Sequence, residues 1–228
     1  MDEVQILLTV DHPNIVEYHE TYDDVNYLYL VMENCPGGEL FDSNEIFKKN
    51  NNDYTEMDAA NVTAKCLEAL HHCHSLGIVH RDIKPENIMF GNDGEIRLVD
   101  FGLAKESATK MKTFAGTPYF MAPEVINHNY NQKCDIWSMG CVLYMLVTGK
   151  IPFDGNSKAE VFHKINNAEY QEPKHVSPEC RDLIKKMLTV DPIKRVSAQQ
   201  AHAHPWFKLE RVIDPAHKND GTIPVEII

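Results

Sequence analysis

Three short strings constrain this chain more than anything else in it. They are His80 to Asn87 (H-R-D-I-K-P-E-N), Asp100-Phe101-Gly102 and Ala122-Pro123-Glu124. Each alone recurs by chance, but all three in this order and at workable spacings form a specific signal. The segments around them carry their own start and stop signals. Thr55-x-x-Asp58 reads as a capping box that opens a long helix with Ala60, Ala64, Leu67, Leu70 and His74 at helical spacing. Ile78-Val79 leads from it into the first string. Ile88-Met89-Phe90 and Ile96 to Val99 are predicted as short strands around the turn Gly91-Asn92-Asp93-Gly94. Asp135-Ile136-Trp137 begins a buried central helix that ends at Gly149. Ser157-x-x-Glu160, Ser177-Pro178 and Ser197-x-x-Gln200 start three further helices.

The three strings belong to the signature set of protein kinases. From about Glu3 to Trp206 the chain resembles the catalytic domain of a Ser/Thr protein kinase. The residue types suit the chemistry, because phosphoryl transfer needs positioning and charge neutralisation more than covalent help. By this resemblance Asp82 accepts or orients the proton of the substrate hydroxyl, and Lys84 neutralises the transferred phosphoryl group. Asn87 and Asp100 are hard oxygen ligands suited to Mg²⁺ bridging the phosphates of ATP. His80 and Phe101 are read as packing residues that fix the two loops. Thr117, in Gly116-Thr117-Pro118, marks Ser/Thr kinases and, with Lys84, argues against tyrosine specificity. Asp100 to Glu124 would be the activation segment. Thr113 stands where this fold is often phosphorylated, with Arg81 placed to meet the phosphate. Glu124 would pair with Arg195, and Asp135 would hold the backbone of the catalytic loop.

Met1 to Thr9 is predicted as part of a helix with Val4, Leu7 and Leu8 on one side. Ile15 to Tyr22 and Tyr27 to Met32 are predicted strands joined at Asp23-Asp24. The resemblance makes these the latter part of the N-lobe helix, with Glu3 as its regulatory glutamate, and the last two N-lobe strands. Glu33 to Cys35 would be the hinge whose backbone meets the adenine of ATP, with Met32 beside the pocket and Met89 as its floor. Pro36 to Phe41 is read as opening the next helix. Glu39 would border the nucleotide site and hold an arginine of the substrate, with Glu86 as a second substrate-binding acid. A glutamate at a helix start is also favoured by the helix dipole alone.

The 228 residues contain no G-x-G-x-x-G loop and no V-A-I-K lysine. The expected fold is therefore α+β and protein-kinase-like, with a complete, mainly helical C-lobe and a truncated N-lobe. Residues 1–34 would be the N-lobe remnant and hinge, 35–210 the C-lobe and 211–228 a tail without regular helix. Two strands and a partial helix are marginal alone. Leu7, Leu8 and Val31 are accordingly expected to be exposed and open to self-association. Phosphoryl transfer by the chain as given is expected to fall by orders of magnitude.

Composition is that of a globular chain, 43% hydrophobic and 25% charged. A net charge of −12 argues against nucleic acid or an anionic membrane as partner and fits basic peptide substrates or solubility alone. No signal peptide is visible, and the longest apolar stretch, Ile136 to Val147, is too short to span a bilayer. The six cysteines form no C-x-x-C pair and are read as reduced thiols of a cytosolic or nuclear protein. His71-His72-Cys73-His74 suggests zinc, but neighbours on a helix point about 100° apart and cannot converge on one ion. Lys48 to Asn52 is read as a surface loop.

Asp11 to Val16 (D-H-P-N-I-V), Gly37 to Asp42 (G-G-E-L-F-D) and Ser197 to Trp206 are similar to the calmodulin- and calcium-dependent kinase group, most of all to the calcium-dependent protein kinases of plants and protists. That implies calcium regulation in the full-length form. The expected activity is transfer of the γ-phosphate of MgATP to Ser or Thr of proteins with basic residues near the target. A pseudokinase serving as a binding or scaffold module is the rival; the absent loop and lysine favour it, while Asp82, Lys84, Asn87 and Asp100 oppose it. A small-molecule kinase of similar fold is opposed by Thr117 and Ala122-Pro123-Glu124.

Overall fold

The computed structural model describes residues 3–41, 55–106, 118–126 and 131–208. The chain opens with α1 (Glu3–Leu7), the hairpin β1 (Tyr18–Asp23) and β2 (Leu28–Met32), and then β3 (Gly38–Glu39). The long helix α2 (Glu56–Ser75) follows, then β4 (Ile78–Val79), β5 (Ile88–Phe90), β6 (Ile96–Leu98) and β7 (Lys105–Glu106). Among the described residues five helices follow: α3 (Pro123–Ile126), α4 (Lys133–Thr148), α5 (Lys158–Asn167), α6 (Pro178–Met187) and α7 (Ala198–His202). The strands form three small antiparallel sheets, β1-β2, β3-β5-β6 and β4-β7.

The core is built on α4. Its residues are apolar on every side, and a helix of that kind has to be surrounded. Ile136, Trp137, Met139 and Leu143 are fully buried, and α2 and α6 pack against it. Trp137 stacks on Phe153 with ring centroids 5.4 Å apart. Each such side chain contributes about 1.5–3 kcal/mol by leaving water. The helix stops at Gly149, whose φ of 66° continues into the left-handed region where a side chain would be strained.

The predicted start signals act as read. Thr55 and Asp58 form a full capping box on α2, as do Ser197 and Gln200 on α7. Ser157 and Ser177 cap α5 and α6 through their hydroxyls, with Pro178 opening α6. Glu56 adds a tie between distant segments. Its carboxylate accepts from the Ser177 amide at 2.6 Å, the Ser177 hydroxyl at 2.7 Å and Trp206 Nε1 at 2.9 Å. Glu124 and Arg195 meet as expected, in a buried two-pronged pair at 2.5 and 2.9 Å. Arg195 also donates to the carbonyls of Thr189, Lys133 and Val190 and lies over the Trp137 ring.

The N-terminal part departs from expectation. Helix α1 ends at Leu7, before the predicted Thr9, and Leu7 is not exposed but 4% accessible, packed in the core with Ile6, Val10, Ile15 and Val16. Residues 14–16 do not extend β1. They run beside β6 instead, with the Val16 amide donating to Leu98 O at 3.0 Å and the Leu98 amide to Asn14 O at 2.9 Å. The buried Asn14 side chain donates to Ile96 O at 3.0 Å. A continuous apolar stretch at Ile15-Val16 is satisfied better against that strand than in a solvated hairpin. Leu8 at 66% and Val31 at 36% are exposed, as expected.

Two further boundaries move. Val99 leaves β6 to donate its amide to Asn87 O at 3.0 Å. Gly38 and Glu39 do not begin a helix but pair with Phe90 and Met89 of β5, so Glu39 draws no benefit there from a helix dipole. Lys48 to Asn52, Thr113, Thr117 and the 211–228 tail lie outside the described residues. No helix among the described residues is long and apolar enough to cross a membrane.

Candidate active site

The loop between β4 and β5 hangs from α4. Asp135, in the first turn of α4 and 1% exposed, accepts from the His80 amide at 3.0 Å and the Arg81 amide at 2.8 Å. His74, in the last turn of α2, donates from Nε2 to the same carboxylate at 2.8 Å. Burial alone would push this carboxyl up. His74, through its hydrogen bond and charge, and the Arg81 amide more than offset that and hold it below the usual carboxylate range. Arg81 has a φ of 71°, a conformation that costs about 1–3 kcal/mol unless its surroundings fix it. The grip of Asp135 on two successive amides supplies that fixation. His74 thereby leaves the His71–His74 run for Asp135, while His72 meets the ring of His12, 5.5 Å between centroids.

The His80 ring joins this loop to Asp100-Phe101-Gly102. It donates from Nε2 to Val99 O at 3.1 Å, accepts at Nδ1 from the Asp82 amide at 3.4 Å, and packs on Phe101 at 4.7 Å. Burial pulls its pKa down, only partly countered by Asp135, so the ring stays neutral in this tautomer.

Asp82, Lys84 and Asn87 converge. Asp82 Oδ2 accepts from Lys84 Nζ at 2.7 Å and from Asn87 Nδ2 at 3.0 Å. The Asn87 amide also donates to Asp82 O at 2.7 Å. Among the described residues this leaves Asp82 Oδ1 and Asn87 Oδ1 without a hydrogen-bond partner. Burial works against the Lys84 ammonium, but the Asp82 hydrogen bond and the charges of Asp82, Glu86 and Asp100 outweigh it, so its pKa is raised. Asp100 is exposed, sits at a φ of 61° and accepts the Gly102 amide at 3.1 Å through Oδ1. Its other oxygen has no partner among the described residues.

The three-stranded sheet gives the site a second wall. Glu39, Met89 and Arg97 are register partners across β3, β5 and β6, and so share one half-buried face. Leu40, Ile88, Phe90, Ile96 and Leu98 are buried on the other. Met32 is exposed at the end of β2. Cys35 is half-buried, its thiol pushed up by burial and then by the charge of Glu33. Glu86 is exposed beside the catalytic loop. For Glu3 only the backbone, in α1, is described.

Three contacts that the sequence reading did not foresee stand out. Arg97 binds Glu33 at 2.8 Å across the chain. His74 orients Asp135. Ser138 donates to Phe120 O at 2.7 Å, holding the segment that leads into Ala122-Pro123-Glu124. The alternation of Arg97 with buried Ile96 and Leu98 marks it as facing away from the core, but no sequence signal names its partner.

A family model described as "Protein kinase domain" matches residues 1–207. The chain belongs to the protein kinase domain family. It is 40% identical over 219 residues to Calcium-dependent protein kinase 3 of Plasmodium yoelii yoelii, covering 92% of this chain and 40% of that protein. It is 44% identical over 216 residues to Myosin light chain kinase A of Dictyostelium discoideum, covering 90% of this chain and 72% of that protein. It is 41% identical over 219 residues to Serine/threonine-protein kinase cds1 of Schizosaccharomyces pombe, covering 90% and 47%. The chain thus spans about 40% of the length of the Plasmodium relatives that it matches.

Proposed function

We propose that this chain is the catalytic domain of a Ser/Thr protein kinase that transfers the γ-phosphate of ATP, with Mg²⁺, to Ser or Thr of proteins carrying basic residues near the target. The observation that carries this reading is the arrangement around Asp82. Its Oδ2 is held by Lys84 and Asn87, which fixes the orientation of the free Oδ1. Asp82 Oδ1 takes the proton of the substrate hydroxyl as that oxygen bonds to the γ-phosphorus. The bond from the γ-phosphorus to the bridging oxygen breaks, and ADP leaves with the electron pair. Lys84 stands beside Asp82 to balance the charge of the transferred group.

The donor set suits Mg²⁺, since Asn87 Oδ1 and Asp100 Oδ2 are hard oxygens without competing hydrogen bonds among the described residues. Bound there, the ion would neutralise charge on the ATP phosphates. Glu33, Cys35, Met32 and Met89 are the proposed nucleotide-base contacts. Glu39 and Glu86 supply the acidic character that a basic peptide would meet. A phosphate on Thr113, countered by Arg81, would be the regulatory modification. The calcium-dependent names of several relatives support calcium control of the full-length protein.

Radiolabelled transfer from ATP and Mg²⁺ to Ser and Thr peptides, by the protein at its natural length, tests the reading. Peptides with arginine before the target should be labelled best. Asp82→Asn should reduce transfer by about 10²–10⁴-fold, the usual contribution of a positioned general base. Bound nucleotide without transfer by the unsubstituted protein would favour the binding-module reading instead.

A further inference from the structure

The linker between β2 and β3 is fastened at both ends by different means. At its far end the Gly37 amide donates to Phe90 O at 3.1 Å and Gly38 enters β3. The approach is so close that a Cβ on Gly37 would lie 2.5 Å from Phe90 Cβ. At its near end the tie is ionic. Arg97 Nε donates to Glu33 Oε2 at 2.8 Å, and its NH2 group donates to Asp93 Oδ2 at 2.8 Å. Gly91 lies directly beneath, where an added Cβ would meet Asp93 Oδ1 at 2.9 Å and Glu33 Oε1 at 3.1 Å.

The Arg97 side chain is 11% exposed and that of Glu33 20%, so this pair is shielded in a way a surface ion pair is not. The guanidinium fork also fixes direction as well as distance. Glu33 in turn passes the restraint on through its own backbone, donating its amide to Glu17 O at 2.8 Å just before β1. Arg97 lies on the same sheet face as Met89 and Glu39, and its strand leads straight into Asp100. One side chain therefore joins the linker, the β5–β6 turn and the wall of the site.

We propose that Arg97 is a positioning residue for nucleotide binding: its clamp on Glu33 and Asp93 sets where the linker backbone presents itself to the base of ATP. Asn34, Cys35 and Pro36 span the gap between the two fastened ends. Releasing the ionic end leaves the near side of that span tied only through the Glu33 amide on Glu17 O, with its side chain free to shift. The clamp acts on the nucleotide and not on the peptide, because it touches neither Asp82 nor the segment at Ala122-Pro123-Glu124. This rests on the kinase reading above.

The test uses the protein at its natural length, with Arg97→Ala, Arg97→Lys and the shape-preserving Glu33→Gln. KM for ATP should rise about tenfold in Arg97→Ala, the loss expected for one charge-assisted hydrogen bond. KM for the peptide should stay at its wild-type value, and Glu33→Gln should reproduce the ATP effect. Arg97→Lys should recover part of it, since a point charge replaces a fork. The affinity for a fluorescent N-methylanthraniloyl-ATP, measured by direct titration, should fall in parallel. An unchanged nucleotide affinity in Arg97→Ala and Glu33→Gln would overturn the inference. So would an equal rise in both KM values accompanied by a lower thermal midpoint, the signature of a merely structural residue. Absence of phosphoryl transfer by the unsubstituted protein would defeat the kinase reading, and the titration would still judge the clamp.

Discussion

The catalytic loop and the β1–β2 hairpin are held in opposite ways. The loop between β4 and β5 is tied by charge-assisted hydrogen bonds to Asp135, and Asp135 sits on a helix buried on all sides. The hairpin touches the core through Tyr18 and Leu30, while Tyr22, Val25, Tyr27, Leu28, Tyr29 and Val31 face solvent. Its turn is fixed only locally, by Asp24 accepting the amides of Asn26 and Tyr27 at 2.7 and 2.8 Å. Free energy of the fold is thus concentrated beneath the chemistry. The hairpin contributes little of it.

The largest departure should come from the core side of that contrast. Arg195→Ala leaves Glu124 buried without its partner and opens three carbonyl contacts as well. Loss of one member of a buried pair costs about 3–5 kcal/mol. Urea denaturation should show a loss of that size, and a loss below about 1 kcal/mol, as for an exposed pair, would mean the pair is not shielded as described. Leucine truncations compare the two regions directly. Leu70→Ala, at a fully buried position of α2, should cost about 2–5 kcal/mol. Leu28→Ala, on the exposed hairpin, should stay within about 0.5 kcal/mol. Similar losses at both positions would erase the distinction.

The smallest effect is on pH dependence. The folded pKa of His80 lies below the ordinary 6.5, so the unfolded chain takes up this proton first as pH falls. The stability linked to neutral His80 is present above pH 6.5 and is lost as pH drops below 6.5 through the lower folded value. His12 shifts in the same direction, from burial first and the charge of His72 second. His80→Phe should therefore flatten, without abolishing, the fall in urea midpoint below pH 6.5. An unchanged slope would show that the buried imidazole is not the sensor.

Much of the core side was legible in the sequence. The strings at His80, Asp100 and Ala122 fix the order of the catalytic parts, and Thr55, Ser177 and Ser197 announce their helices through local capping chemistry. The Glu124–Arg195 pair was also foreseen, on the kinase resemblance. The N-terminal side was harder because its outcome depends on partners. Ile15 and Val16 look like strand in isolation, and only the presence of β6 draws them away from the hairpin. Leu7 reads as one face of a short helix, yet whether that face is covered depends on packing no local pattern encodes. Gly38 and Glu39 look like a helix start for the same reason, until β5 is available to pair with them. Arg97 and Glu33 are far apart in the chain, and nothing in either neighbourhood points to the other.

Hydrogen exchange read residue by residue tests most directly the claim that the catalytic loop hangs from the helical core. The amides of His80 and Arg81, both donated to Asp135, should exchange as slowly as the interior of α4, because they are released only when the core opens. The hairpin amides between Glu20 and Met32 should exchange much faster, through local opening that leaves α4 intact. Rapid exchange at His80 and Arg81, matching that of the hairpin while α4 remains protected, would contradict the account.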